Sequence, residues 1–324
     1  MNALMKQTLQ ILEMKSQKAL ESAKQQLLLI QIENKKLRQA LEYYADNWDD
    51  TLHPGMIAIA SEAVGGNMEE SLPMQVSMLF LTAAIDVHDD VVDGSKIKNG
   101  KFTVFGKFGK DLALLVGDGL LLKGMTLLYK NIKTLPTQTM DSIVETIDTA
   151  LTEAGDAHTL EISYKRRLDL NPEKYLQVIK KKASILEAHT RIGALVGKGK
   201  RNEIEIISEF GRVLGTLIML RDEFIDLFEV QELNDRINDG CLPLPIIYAF
   251  KNPTVKKKIM NVLSRPKISE KDAELIVDTI FKSKEVESLT DTMKNLAARA
   301  LRIVSGLQQT RTLELLIRAS IEDI

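Results

Sequence analysis

Apolar side chains recur every three or four residues along nearly the whole chain, whereas the alternation typical of a half-buried strand is almost absent. This spacing places apolar residues on one face of an α-helix. Within residues 3–45 it predicts one long helix or a pair, which packs on the rest of the protein or on a second subunit, because no regular coiled-coil heptad is sustained. The apolar positions are Leu9, Leu12, Leu20, Leu27, Ile30, Leu37 and Leu41.

Prolines and glycines divide the remainder into segments of about 12 to 30 residues, which predicts helices with short connections. The dividing positions are Pro54, Gly65–Gly66, Pro73, Gly94, Asn99–Gly100, Pro136, Pro172, Gly240, Pro243, Pro245, Pro253 and Pro266. Residues 74–87 and 112–128 are apolar almost all round, so we expect them at the centre. The pattern predicts an all-α, single-domain bundle of about ten or more helices over residues 1–324, with 1–46 as an N-terminal helical segment.

The composition argues against several classes of protein. Basic and acidic residues nearly balance, 43 against 45, so the net charge of -2 gives no reason to expect binding to nucleic acid or to a membrane surface. A single cysteine, Cys241, excludes an intramolecular disulfide framework, and with only four histidines it argues against a zinc enzyme. We expect a cytoplasmic protein without a signal peptide or transmembrane segment, since no apolar run approaches the roughly 20 residues that span a bilayer.

Four carboxylates stand close together at the end of an apolar segment, in the sequence DVHDDVVD. On a helix Asp86, Asp89 and Asp93 would share one face, with Asp90 beside them. Like charges at this spacing repel each other and destabilise the helix unless a cation lies among them. Mg²⁺ prefers oxygen ligands, so this first carboxylate cluster predicts a magnesium site.

A second carboxylate cluster also follows an apolar run, in LRDEFIDLFE. Asp222, Asp226 and Glu229 would share a helical face, and Glu223 is adjacent. Acidic residues at this spacing commonly form a solvated helix face, and this alternative applies to either cluster by itself. The apolar sequence before both clusters favours metal sites, and two such faces opposed across a bundle would hold more than one Mg²⁺.

Of the three consecutive lysines at 180–182, only Lys182 shares a face with a wholly apolar stripe, which includes Ile179. Lys180 and Lys181 are expected in solvent. Lys182 either points inward or extends its amine from an apolar surface into water. Two carboxylate clusters that require several Mg²⁺ ions, together with an inward lysine, suit the binding of a diphosphate group.

Several segments of the chain resemble the trans-polyprenyl diphosphate synthases, a family with the class I isoprenoid synthase fold. HDDVVDGSKIKNGKFTVFGKFGKDLALLVGDGLLL resembles their first aspartate-rich motif and its continuation, and LRDEFID resembles the second. YLQVIKKKASILEA resembles their lysine-bearing helix, and HPGMIAIASEAVGG the N-terminal helix that carries part of the isopentenyl diphosphate site. The resemblance extends over nearly the whole chain. It implies a prenyltransferase of isoprenoid biosynthesis, with helices around a central cavity that binds an allylic prenyl diphosphate.

The resemblance also implies roles for individual residues and a homodimer as the usual assembly. The implied catalytic residues are Asp89, Asp90, Asp93 and Lys182. The implied metal ligands, for about three Mg²⁺ ions, are Asp89, Asp93, Asp222, Asp226 and Glu223. The implied substrate-binding residues are Lys98, Lys182 and His88, with Ala84, Ile85 and Phe80 as the floor of the prenyl cavity. Ala84 is small where short-chain members often carry an aromatic ring, which predicts room for a longer prenyl chain.

The chain departs from the family where isopentenyl diphosphate is held. The family's basic N-terminal segment is replaced by Asp49, Asp50, Thr51, Leu52 and His53, an arginine pair by Lys98–Asn99, and a lysine by Cys241. We therefore expect a weakened acceptor site beside a retained allylic site. The acceptor would be isopentenyl diphosphate or another nucleophile. The alternatives are terpene cyclisation and a non-catalytic subunit of a hetero-oligomeric synthase.

Overall fold

The computed structural model describes residues 3–98, 100–265 and 267–322, and most of them are helical. Asn99 and Pro266, two of the predicted dividing positions, lie outside the described residues. The helices are α1 (Ala3–Leu28), α2 (Lys35–Asn47), α3 (Leu52–Ala63), α4 (Met68–Asp93), α5 (Val104–Phe108), α6 (Lys110–Ile132), α7 (Thr137–Tyr164), α8 (Pro172–Lys182), α9 (Ser184–Val196), α10 (Arg201–Ile225), α11 (Val230–Asn238), α12 (Leu244–Ala249), α13 (Pro253–Leu263), α14 (Glu270–Ile280), α15 (Lys284–Val304) and α16 (Arg311–Ser320).

The N-terminal segment is a pair of helices, which is one of the two predicted arrangements. The side chain of Asn34 accepts hydrogen bonds from the backbone N–H groups of Lys36 and Leu37, at 3.0 and 3.2 Å, and so caps α2. Leu12 and Leu27 on α1 are buried, and α1 packs against α3 and α4. The helix pair therefore forms part of the protein body.

Helix α4 carries the first carboxylate cluster out of the core. Asn67 caps its start by accepting a hydrogen bond from Glu69 N, and Gly94 ends it with a left-handed φ of 70°. The prediction that Pro73 separates two segments is wrong, because α4 continues through it. Pro73 is the sixth residue of α4, so it removes one i→i−4 hydrogen bond, and the helix tolerates this loss one turn beyond its capped start.

Helix α6 packs along α4, but it is not buried all round as its composition predicts. Gly117 and Gly124 allow a close approach: a Cβ at Gly124 would lie 2.8 Å from Leu81 Cδ2. The opposite face exposes more than half of the surface of several apolar side chains, namely Leu115, Leu122, Met125 and Tyr129. The apolar composition of a helix does not by itself determine which of its faces are buried, because burial depends on the elements that pack against it.

By length and composition, α6 is also the one helix in the described residues that could cross a membrane. This is weak evidence, because core helices of non-membrane proteins pass the same criterion. The lack of a transmembrane segment stays a prediction.

A short antiparallel hairpin follows α4 and is the only sheet in the described residues. Its strands are β1 (Ile97–Lys98) and β2 (Lys101–Phe102). Thr103 closes it by donating its hydroxyl to Ser95 O at 2.7 Å and its N–H to Lys96 O at 2.9 Å. Gly106 is required here, because a Cβ at that position would lie 2.0 Å from Lys96 O. The hairpin places Lys98 beside the end of α4.

The described chain divides into two compact units. The first contains α1 to α6, the hairpin and the start of α7, together with His189–Ile207 and Leu307–Gln309. Its hydrophobic core includes Leu41, Trp48, Leu79, Phe80 and Leu120. The second unit contains Ile147–Ala188 and Ser208–Gly306, with the C-terminal helix α16.

Candidate active site

The first carboxylate cluster occupies the last two turns of α4. Asp89 is half-buried, Asp93 is exposed and Asp90 is buried. The last turns of a helix carry the negative end of its dipole, so acidic residues there are unfavourably placed without a cation. No basic residue lies in the last turn of α4. Any cation that balances these carboxylates must therefore come from outside the last turn of α4.

Lys98 reaches this cluster from the hairpin and lies with Nζ 2.7 Å from Asp90 Oδ1. Burial raises the pKa of Asp90, and Lys98 opposes that shift by stabilising the charged carboxylate. The pKa of Asp86 is raised to about 6, chiefly by desolvation and against the attraction of His53 and Lys98. Lys98 was predicted as a substrate-binding residue, and in this state its amine holds Asp90 in place.

His88 turns away from the face that carries Asp89 and Asp93. Its Nε2 lies 3.3 Å from Asp118 Oδ1 on α6. The imidazole covers Gly117, where a Cβ would lie 2.5 Å from the same nitrogen. This packing between α4 and α6 gives His88 a structural role, and the predicted role in substrate binding gains no support from its contacts.

The predicted cavity floor lies in the core of the first unit. Phe80 and Ala84 are fully buried, and Ile85 is half-buried. The Trp48 ring packs against Phe80 with ring centroids 5.3 Å apart, and the Tyr44 ring lies 5.2 Å from Trp48. Sequence analysis missed this aromatic column, although Tyr44 and Trp48 share a helical spacing of four. It places bulky aromatic side chains in the same core cluster as Ala84.

The second carboxylate cluster lies at the end of α10, where a residue that sequence analysis missed neutralises it. The guanidinium of Arg236, on α11, donates through Nη2 to both oxygens of Glu223 at 2.9 Å and through Nη1 to Asp226. Leu244 N also donates to Glu223 Oε2 at 2.6 Å. The carboxylate of Glu223 is thus fully engaged and buried. This arrangement favours a structural role for Glu223 over the predicted role as a metal ligand.

Asp222 differs from its two acidic neighbours because Arg236 does not bind it. Desolvation and the charges of Asp226 and Glu223 raise its pKa from 3.8 to about 7, although the residue remains in contact with solvent. A cation placed beside it would restore the charged form. Among the described residues, no three acidic, histidine or cysteine side chains converge into a preassembled metal site. A metal bound here would therefore need ligands from its substrate as well.

Lys182 is the lysine that faces protein, as predicted. Its Nζ forms an ion pair with Glu161 Oε2, and both side chains are about four-fifths buried. Lys181 pairs with Asp156 at a more exposed position. Tyr175 donates its hydroxyl to Glu161 Oε1 at 3.1 Å. Lys182 is therefore held in a fixed position, where a competing anion would have to replace Glu161.

The segment that lacks the expected cations contains a paired histidine instead. Asp50 Oδ2 lies 2.9 Å from His53 Nδ1, and Asp50 Oδ1 accepts a hydrogen bond from His53 N at 3.2 Å. The His53 ring lies 4.7 Å from that of His189. The (i, i+3) spacing of Asp50 and His53 was a local signal for this pair, whereas the approach of His189 depends on the tertiary fold.

Comparison with known proteins identifies the family of this chain. The family model for polyprenyl synthetases matches residues 34–280. A geranylgeranyl diphosphate synthase of Methanosarcina mazei is 28% identical over 268 residues, covering 81% of this chain and 80% of that protein. A short chain isoprenyl diphosphate synthase of Methanothermobacter thermautotrophicus is 24% identical over 228 residues, covering 68% and 69%.

Solved structures show the same architecture. A geranylgeranyl pyrophosphate synthetase from Pyrococcus horikoshii has a TM-score of 0.84 at 20% identity, with 97% of this chain and 99% of that chain covered. The predicted all-α isoprenoid synthase fold is thereby confirmed. The match to more than half of the chain also identifies the family: this protein belongs to the polyprenyl synthetases and is a prenyltransferase.

Proposed function

We propose that this protein ionises an allylic prenyl diphosphate in the presence of Mg²⁺ and transfers the prenyl group to an acceptor, as a cytoplasmic enzyme of isoprenoid biosynthesis. The observation that carries the proposal is the first carboxylate cluster, which gathers several acidic side chains at the end of α4 where the helix dipole is negative. The names of the relatives support the same substrate class.

Asp89 and Asp93 are suited to bind Mg²⁺, because they offer oxygen ligands on one helical face. They would hold Mg²⁺, which, when bound, neutralises the charge that develops on a departing diphosphate. Asp90 stays paired with Lys98 and fixes the hairpin against the cluster. Lys182 would donate to a diphosphate oxygen in exchange for Glu161. Apolar walls would keep water from the allylic cation.

The second carboxylate cluster supports a smaller contribution than the sequence predicts. Arg236 already supplies the cation that Glu223 and Asp226 require. Asp222 is the carboxylate that we propose for a further Mg²⁺, with Asp226 joining it only after release from Arg236. With this smaller contribution, we propose that each site binds fewer than three Mg²⁺ ions.

We propose that isopentenyl diphosphate binds weakly. Where the family carries cations, this chain carries Asp49 and Asp50, and Asp50 is itself bound to His53. Losing about three charge-assisted contacts, each worth about 1.5–3 kcal/mol, would weaken binding by orders of magnitude. Terpene cyclisation and a non-catalytic role in a hetero-oligomer remain the competing hypotheses.

One set of measurements tests the proposal. Purified protein is incubated with Mg²⁺ and geranyl, farnesyl or geranylgeranyl diphosphate, and released diphosphate is measured for wild type, Asp89→Ala and Asp93→Ala. We expect release by wild type and more than a tenfold loss in each variant, since each lacks a ligand to the metal. Calorimetric titration should show tight binding of an allylic diphosphate and weak binding of isopentenyl diphosphate. Failure to release diphosphate from any of the three substrates would support the non-catalytic alternative.

A further inference from the structure

Asp50, His53 and His189 form a connected polar group in the first unit, near the first carboxylate cluster. The side chains of Asp50 and His53 are 16% and 23% exposed, so the pair is sheltered but reachable. His189 is buried, and its Nε2 lies 3.1 Å from Thr82 Oγ1 on α4. The mechanism described above does not use this group.

The contact with Asp50 determines what the His53 ring can do. A carboxylate at Nδ1 favours the proton on that nitrogen, which leaves the lone pair on Nε2. Among the described residues, the ring's only hydrogen-bond partner is Asp50. Nε2 is therefore available as a proton acceptor, and Asp50 holds the ring in one orientation. An imidazole oriented in this way has the geometry of a general base.

The surroundings of His53 carry negative charge. The charged and titratable groups that act on it are Asp50, Asp86 on α4 and His189 on α9. Burial alone would lower the pKa of His53, but Asp50 and Asp86 raise it above its ordinary value. The nearby hydroxyl of Tyr44 has a raised pKa through burial and the charges of four aspartates.

This charge distribution selects among acceptors. A second diphosphate would bring several negative charges beside these carboxylates, which is costly without fixed cations. An amine would be held as an ammonium ion by the same carboxylates and would have no lone pair for attack. A neutral hydroxyl meets neither obstacle.

We propose that His53, oriented by Asp50, is the general base that accepts the proton of a neutral hydroxyl acceptor during prenyl transfer; this rests on the proposed ionisation of an allylic diphosphate. The allylic C–O bond breaks and its electron pair leaves with diphosphate. A lone pair of the acceptor oxygen forms the new C–O bond, and the O–H proton passes to His53 Nε2. No oxidant or reductant is needed. Asp50 acts as a positioning residue.

The test uses the full chain with Mg²⁺, farnesyl diphosphate and three hydroxyl probes: methanol, glycerol and phenol. Diphosphate release and prenyl ether formation are measured separately across pH. The variants are His53→Gln and Asp50→Asn, with Asp46→Asn on the exposed surface of α2 as the matched control. Asparagine at position 50 can still accept the hydrogen bond from His53 N, but its amide would donate to Nδ1, so the ring proton would move to Nε2 and block the base.

We expect wild type and Asp46→Asn to form an ether with at least one probe, with a rate that falls as acid protonates His53. Both site variants should lose ether formation at least tenfold and lose this acidic limb, while the KM for farnesyl diphosphate stays unchanged. Diphosphate release without any ether, or equal ether formation in His53→Gln and wild type, would overturn the inference and leave the proposed function standing. Absence of diphosphate release by wild type would overturn the proposed function itself.

Discussion

At the scale of single residues, Arg236 changes the interpretation of the second carboxylate cluster most. It binds Glu223 and Asp226, and it also donates to Cys241 O at 2.9 Å and to the Tyr175 hydroxyl at 3.2 Å. Removal of one member of a largely buried ion pair strongly destabilises the folded protein, because the other charge is left buried without compensation.

Replacing Arg236 by alanine should therefore lower the free energy of unfolding by about 3–5 kcal/mol in metal-free buffer. Arg166→Ala is the matched control, since Arg166 forms an exposed pair with Asp239; it should cost at most about 1 kcal/mol. Denaturant unfolding monitored by circular dichroism measures both. Equal losses in the two variants would show that Arg236 does not sustain the cluster.

Asp222 gives a pH dependence whose sign can be worked out. Its pKa is about 7 in the folded protein and near 3.8 when unfolded. Between these values the unfolded chain has released the proton that the folded protein retains, so Asp222 makes stability decrease as pH rises from about 4 to about 7. Asp222→Asn should match wild type near pH 4 and exceed it in stability above pH 7 without Mg²⁺. Thermal melts across this range would contradict the assignment if the two proteins changed in parallel.

At the scale of helices, the contact between α4 and α6 depends on glycine. Gly124 faces Leu81, whereas a Cβ at Gly119 would meet no atom within 4 Å. The same substitution should thus have opposite effects at the two positions of one helix.

We expect Gly124→Ala to destabilise the protein by about 1–3 kcal/mol, because the added methyl group overpacks the contact. Gly119→Ala should stabilise it by about 0.4–1 kcal/mol, since alanine restricts the unfolded chain without a clash. Melting temperatures of both variants measure the difference. A stabilised Gly124→Ala protein would show that the helices have room to separate.

The sequence predicts helices well because their periodicity is local, and it predicts the first carboxylate cluster because one helix carries it. Arg236 was missed, since its partners lie 10 and 13 residues away and meet it only when the chain turns between α10 and α11. The exposed face of α6 was missed for a related reason. A run of leucines reports hydrophobicity, whereas burial depends on which neighbours the fold supplies. Trp48 illustrates the same limit, because α2 brings it to Phe80 across 32 residues of sequence.

At the scale of the whole molecule, the exposed apolar face of α6 is a candidate interface for the homodimer that the family resemblance implies. Leu122 is 66% exposed and Met125 55% exposed, and exposed apolar patches commonly mark interaction surfaces. A second copy would cover this face by twofold symmetry, which presents the same patch from both subunits.

We therefore expect wild type to form a dimer and the double variant Leu122→Glu/Met125→Glu to be a monomer. Leu29→Glu is the control, because Leu29 is equally apolar and 78% exposed at the end of α1; it should leave the assembly unchanged. Light scattering coupled to size exclusion measures the mass of each. A double variant that keeps the mass of wild type would place the interface elsewhere.

The guanidinium of Arg236 at the second carboxylate cluster has a consequence for the protein when magnesium is scarce. A site that needs a divalent ion to offset its own carboxylates loses shape when that ion is scarce, whereas the guanidinium of Arg236 is covalently attached and always charged. The end of α10 should therefore keep its form in a chelator, and an ion arriving there has to compete with a resident partner. The concentration of magnesium required for the proposed activity would then differ from the concentration required for this part of the protein to stay folded.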